Sequence, residues 1–356
     1  MEDACCRACA SIGGQRAGLS AISYMPRGLR PAKIRPARPR AMPVHAPKIA
    51  RNPPPTTPNR PSKSTHVIRL KFSIELNYEI TAPGCDFIFS IHAAMTQQQI
   101  VVSESLFMSQ NLQPNLFTDP LTHTRLLRLQ AFGGPLTVRY DATVDLDHAT
   151  AQPQQLGEVP VADLPGAVLP YLYPSRYCQS DRLHRLAIKE FGHLQQGYAR
   201  VQAIRNWVAH RVTFTSNSSD GNTTAVDTLV EQVGVCRDFA HLMIALCRAV
   251  NIPARFATGI DYGANPALGP TDFHAYVEVY LAGRWYIFDP SGTAIPMGFV
   301  RFCTGRDAAD SAFATLFGRV SGAAPVIQIE AVPNAQGMLM VPHHVPYALS
   351  TDGQWQ

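Results

Sequence analysis

From Ile68 to Ile80 every even-numbered residue is apolar (Ile68, Leu70, Phe72, Ile74, Leu76, Tyr78, Ile80), and the residues between, Arg69 to Glu79, are polar or charged. A period of two gives a strand one oily and one wet face, and it gives a helix no coherent face at all. This stretch is therefore expected to be a half-buried β-strand. Phe87 to Ile91, Gln99 to Met108, Arg125 to Ala131 and Leu136 to Leu146 continue the pattern, with Gly133-Gly134 as a hairpin turn between the last two. An antiparallel β domain over residues 67–150 follows. Its expected role is to shape a cleft, to recognise a substrate, or simply to act as scaffold.

Further along, the period changes to that of a helix. Phe239, Met243, Leu246 and Val250 recur at spacings of three and four, and Asn251 and Pro253 supply a stop, which predicts a helix from about 236 to 250. Cys236 opens it, in the run Gly234-Val235-Cys236-Arg237-Asp238-Phe239. A thiol at a helix N-terminus meets unpaired N–H groups and the positive end of the dipole, both of which favour thiolate. Arg237 adds a cation, and Gly234 permits a tight entry and room for a substrate. The plainer alternative is a cysteine buried as a small hydrophobe.

Strands are expected at Arg255 to Ile260, His274 to Leu281 and Arg284 to Pro290, the last two joined by Ala282-Gly283 as a hairpin. If Leu281 pairs with Arg284, Tyr276 falls opposite Asp289, and His274 lies one same-face step beyond. Asp289 can then orient the imidazole while the other ring nitrogen takes a proton from the thiol. Cys236, His274 and Asp289 are the candidate catalytic residues.

Gly234-Val235-Cys236-Arg237-Asp238-Phe239-Ala240, Ile252-Pro253-Ala254-Arg255, Phe273-His274-Ala275-Tyr276-Val277-Glu278 and Trp285-Tyr286-Ile287-Phe288-Asp289-Pro290 together resemble the core of the transglutaminase-like superfamily. Within it, the chain is similar to the bacterial transglutaminase-like cysteine proteases. The resemblance covers about residues 165 to 320, and the preceding β region is similar to the N-terminal region of many bacterial members. It implies an α+β, papain-like core with the nucleophile helix packed on an antiparallel sheet. It also implies Cys236 as nucleophile, His274 as general base and acid, and Asp289 as orienter. The cross-linking branch has Trp directly after its nucleophile where this chain has Arg237, which favours amide hydrolysis by a cysteine peptidase or amidase. Acyl transfer to amines and a non-enzymatic scaffold that keeps the triad are the alternatives.

Other titratable residues compete less well. His241, five residues along the helix from Cys236, is rotated about 140° away and reads as packing. Cys247 and Cys178 read as core. Asp261 and Asp272 read as loop or strand-end residues, and Asp238 as a complement to the helix dipole. The backbone N–H of Cys236 is one oxyanion donor, with Trp207 and Asn217 as speculative seconds. Asp227 and Glu231, four apart, read as a solvated helix face.

Helices are expected around Asp181 to Phe191, Tyr198 to Val208 and Ala225 to Gln232, after a linker rich in Gln and Pro from Ala151 to Pro160. The catalytic domain is assigned to 160–332, closed by a strand over Val326 to Val332, and residues 333–356 to an irregular C-terminal tail. Residues 1–66 hold 12 Lys/Arg against Glu2 and Asp3, and 11 prolines, so the chain's +5 divides into +10 there and −5 beyond. A disordered basic tail is expected. It is a solvated extension, a transit peptide, or a nonspecific nucleic-acid contact. Cys5, Cys6 and Cys9 lack a second ligand pair, so no metal is expected, and no cofactor. The absence of an apolar run of about 18 residues predicts no membrane span. Eight cysteines without a disulfide-framework spacing point to a reducing, cytoplasmic setting, and the resemblance implies a peptide or protein amide as substrate.

Overall fold

The alternation at Ile68 does not stop at Ile80. In the computed structural model, which describes residues 67–264, 267 and 271–352, β1 runs unbroken from Ile68 to Phe89. The basic segment 1–66 lies outside the described residues. After β1 come β2 (Gln99–Met108), β3 (Asn115–Thr118), β4 (Arg125–Leu146) and β5 (Ala149–Ala151). Then follow α1 (Ser180–Phe191), α2 (Tyr198–Arg211), β6 (Thr213–Phe214), α3 (Ala225–Glu231), β7 (Val233–Gly234) and α4 (Cys236–Ala249). The remaining elements are β8 (Ala254–Asp261), β9 (His274–Leu281), β10 (Arg284–Phe288), β11 (Phe299–Gly305), β12 (Ala314–Phe317), β13 (Val320–Gly322), β14 (Val326–Val332) and β15 (Ala348–Ser350).

β1 and β4 form a long antiparallel ribbon, from Ile68 opposite Leu146 to Phe89 opposite Leu127. Gly133-Gly134, expected to turn a hairpin, instead lies within β4, where the register shifts between Ile80 and Gly84. The residues between Ile80 and Gly84 bulge against Gly133, so the glycines serve a kink in a continuous strand rather than a reversal. β14 pairs along the other edge of β1, with Ile327, Ile329 and Ala331 opposite Ile74, Phe72 and Leu70. Residues 314–332 thus complete the first sheet and do not close the domain assigned to 160–332, because the free edge of β1 offers them an apolar row to extend.

The second sheet has the order β10-β9-β8-β11. α4 packs on it through a core in which Phe239, Leu242, Met243 and Leu246 join Phe256, Ala275, Val277 and Val279. Every residue of α4 is buried, because α1, α2 and α3 also pack against it. The other face of this sheet shares a core with the first sheet, where Phe72 meets Phe302 with ring centroids 5.8 Å apart. The fold is α+β, and the two sheets with their helices form one compact unit.

Residues 334–352 do not form a tail. β15 pairs with β5, and the side chain of Asp352 enters the interior beside two buried arginines. Arg255 donates to Glu278 at 2.6 Å and to Asp352 at 2.7 Å, while Arg301 donates to Asp352 at 3.2 Å. The Arg255 guanidinium also lies 4.3 Å from the centre of the Trp285 ring. Buried charges survive only when mutually compensated, and these two arginines and two acids compensate one another.

Candidate active site

Cys236 is the first residue of α4, entered from β7 through Val235 in an extended conformation. Asp238, in the first turn, accepts from the Val235 N–H at 2.9 Å and from the Ser219 hydroxyl. This anchors the helix start and complements its dipole. A Cβ on Gly234 would meet the Cβ of Asp238 at 2.8 Å, so the space that glycine provides belongs to Asp238 and not to a substrate. Arg237 is likewise committed, at 3.1 Å to Asp238 and 2.6 Å to the Asp220 carbonyl, where it ties the 215–223 loop to the helix. Its cation answers Asp238 first.

His274 opens β9, at the end of the sheet. The hairpin register is the expected one, Leu281 opposite Arg284 through to Val277 opposite Phe288. Ala282 and Gly283 turn it with positive φ of 46° and 83°. Carried one step further, that register sets Asp289 across from Tyr276, on the face that bears His274. Nε2 of His274 lies 3.5 Å from Asp289 Oδ1, and the Cys236 thiol is a hydrogen-bond partner of the same ring. Cys236 keeps 4 % of its exposure, so the group is recessed rather than displayed.

Asp289 is held by its own loop. Oδ1 accepts from the Ser291 N–H at 2.9 Å and its hydroxyl at 2.6 Å, Oδ2 from Ala294 N–H at 3.2 Å, and Arg205 Nε donates to the Asp289 carbonyl at 2.7 Å. Burial disfavours its charge, but the His274 ring beside it and the bonds from Ser291 and Ala294 prevail and hold the carboxyl below its ordinary value. For His274, burial also opposes the charged form. Asp261, Cys236 and Asp289 outweigh it, and the ring titrates well above the usual imidazole range.

Two further acids approach the site. Asp261, at the end of β8, places Oδ2 3.8 Å from His274 Nδ1 and accepts from the Tyr276 phenol at 2.5 Å. Asp272 accepts from the Phe273 N–H at 2.7 Å. Burial pushes both carboxyls up to about 7. Asp261 is more than the strand-end residue it reads as in sequence. Its signal is present, since it lies two residues past Gly259, which pairs with His274, but only the β8–β9 register reveals it.

The other candidates lie elsewhere. His241 stacks on Tyr177 at 4.9 Å and accepts from the Ala308 N–H at 3.1 Å. Cys178 and Cys247 are fully buried, and burial raises both thiols. Trp207 packs edge-on to Phe191 and under Arg211, and Asn217 is exposed in its loop with φ 59°. An apolar slot of about 20 Å³ opens beside His274 between Phe256, Phe273, Ala308 and Phe313. A larger cavity of about 250 Å³ borders Asp289 and is lined by Tyr198, Arg205, His343, His344 and Tyr347, but neither Cys236 nor His274 lines it. Among the described residues, no three His, Cys, Asp or Glu side chains converge as metal ligands.

A cysteine at a buried helix start, beside a histidine and an aspartate from an antiparallel sheet, is the arrangement of a thiol-dependent enzyme. The chain belongs to the transglutaminase-like superfamily, whose core matches residues 187–290, while residues 68–167 match the N-terminal domain of bacterial transglutaminases. A candidate cysteine protease of Cytophaga hutchinsonii, known from its crystal structure, is 38 % identical with a TM-score of 0.73, over 80 % of this chain and 97 % of that one. The uncharacterized protein ML0607 of Mycobacterium leprae is 28 % identical over 117 residues, 32 % of this chain and 42 % of that protein. The uncharacterized protein YebA of Bacillus subtilis is 27 % identical over 168 residues, 40 % of this chain and 22 % of that protein. The chain therefore spans less than half the length of either of these two relatives.

Proposed function

We propose that the protein is a cysteine peptidase or amidase acting through Cys236, His274 and Asp289. The observation that carries this reading is the His274 ring, which bonds the Cys236 thiol and faces Asp289 at 3.5 Å. Such contacts are often long before substrate arrives and tighten as the reaction proceeds. The thiolate attacks the amide carbonyl carbon, forming a C–S bond and an oxyanion, for which the backbone N–H of Cys236 is the donor we assign. The C–N bond then breaks as His274 passes its proton to the amine nitrogen, leaving a thioester. His274 next takes a proton from water as that water attacks the thioester carbonyl. The C–S bond breaks, the acid leaves, and the thiolate–imidazolium pair is restored. Asp289 keeps the ring oriented throughout.

The similarity to the candidate cysteine protease supports hydrolysis, as does Arg237 in the position after the nucleophile. The test is a peptide-library cleavage screen comparing wild type with Cys236→Ala, run with and without a labelled primary amine. Cleavage that needs Cys236, without incorporation of the amine, is the expected result. Covalent capture of the amine with no cleavage would replace this reading by acyl transfer, and no Cys236-dependent turnover would leave a scaffold.

A further inference from the structure

Asp261 is a carboxylate at this site that the proposed reaction does not use. β8 and β9 pair with Gly259 opposite His274. Asp261, two residues along β8, and Tyr276, two along β9, therefore share the face of His274. Asp261 is 1 % exposed. One of its oxygens accepts from the Tyr276 phenol at 2.5 Å; the other has no hydrogen-bond partner and lies 3.8 Å from Nδ1 of His274. Asp289 stands 3.5 Å from Nε2, so Asp261 approaches Nδ1, the nitrogen that is left to the Cys236 thiol. A buried carboxylate oxygen without a donor is costly unless a charge beside it compensates, and the imidazolium is that charge.

We infer that Asp261, steadied by Tyr276, is a second positioning residue for His274 and sets the alkaline limit of the thiolate–imidazolium pair. The inference rests on the reading of Cys236 and His274 as the reacting pair. Asp289, Cys236, Asp272 and Tyr276 are the other titratable groups around the ring or its acid. Arg237, which lines the slot beside His274, is committed to Asp238. Burial pushes Asp261 up to about 7, with His274 and Tyr276 opposing. It is therefore neutral on the acid side, where the thiol ionises, and anionic on the alkaline side, where the imidazolium must keep its proton. Its influence falls on one limb only.

The experiment follows the His274 ring by NMR titration of the full chain, alongside pH-dependent alkylation of Cys236 by iodoacetamide. Asp261→Asn is expected to lower the His274 midpoint by about 1 pH unit or more, the usual effect of an opposite charge at this range, while the acid limb of alkylation stays in place. Tyr276→Phe removes the phenol donor, leaves Asp261 protonated to higher pH, and is expected to give a smaller fall of the same sign. It decides the matter if Asp261→Asn does not fold. An unchanged midpoint in the folded variants overturns the role of Asp261 and leaves the proposed reaction standing. If wild-type Cys236 is not alkylated selectively below the free-thiol range, the reaction and this inference fall together.

Discussion

Gly259 lies directly across the β8–β9 ladder from His274, and a Cβ there would be 1.9 Å from the carbonyl oxygen of Val300 on β11. The neighbouring strand's backbone occupies that space and cannot yield as a flexible side chain would. Gly259→Ala is expected to cost about 3 kcal/mol, the upper end of overpacking penalties, or more. Urea denaturation measures it, and His274 should lose its alignment with Cys236 even in molecules that fold.

Asp289→Asn keeps the shape but gives an –NH₂ to a site where Ser291 and Ala294 already donate. Turnover should fall on the order of 10³-fold or more through loss of ring orientation and charge, with KM little changed. Because the folded carboxyl titrates below its ordinary value, its stabilisation is present above about pH 4 and is lost as pH falls through that depressed value. The stability gap between wild type and variant should therefore close in acid, as chemical denaturation across pH would record.

Asp352→Asn removes one of the two carboxylates that Arg255 and Arg301 share and leaves Glu278. Breaking a buried ion network from one side typically costs about 3–5 kcal/mol, far more than a surface pair. Burial opposes the charge of Asp352, yet the two arginines hold its carboxyl well below the usual range. Wild type and variant should thus differ in urea midpoint at pH 7 and converge only in strong acid.

Cys236→Ala should lower the titration midpoint of His274, since the sulfur is one of the groups raising it. A raised folded value stabilises below about pH 6.5 and loses that contribution as pH rises through it. Both proteins should therefore begin to lose this contribution near pH 6.5, the alanine variant losing less in all and completing the loss at a lower pH than wild type. Paired NMR and denaturation series would show both effects.

The link between β9 and β10 explains why part of the site could be read from sequence. Two residues, Ala282 and Gly283, fix that hairpin's register, and with it the meeting of His274 and Asp289. β8 ends at Asp261 and β9 starts only at His274, a separation too long to fix a register from sequence, so the approach of Asp261 to the same ring was hidden. Val326 to Val332 reads as a strand, but its partner is β1, more than two hundred residues earlier, and strand patterning carries no address. The interior charges were hidden for the same reason. Arg301 is answered inside by Glu278 and by Asp352, both distant from it in the chain. By contrast α4 is legible from its own period, because its packing face and its reactive first residue are both local features.

The burial of Asp352 also bears on biosynthesis. β8 and β11 each carry a buried arginine that awaits a carboxylate made fifty or more residues later, and β1 waits more than two hundred residues for β14. A nascent chain that has displayed Cys236 and His274 still lacks one of the two acids that balance Arg255 and Arg301. The buried charge network under this sheet is therefore completed only when synthesis has passed residue 352.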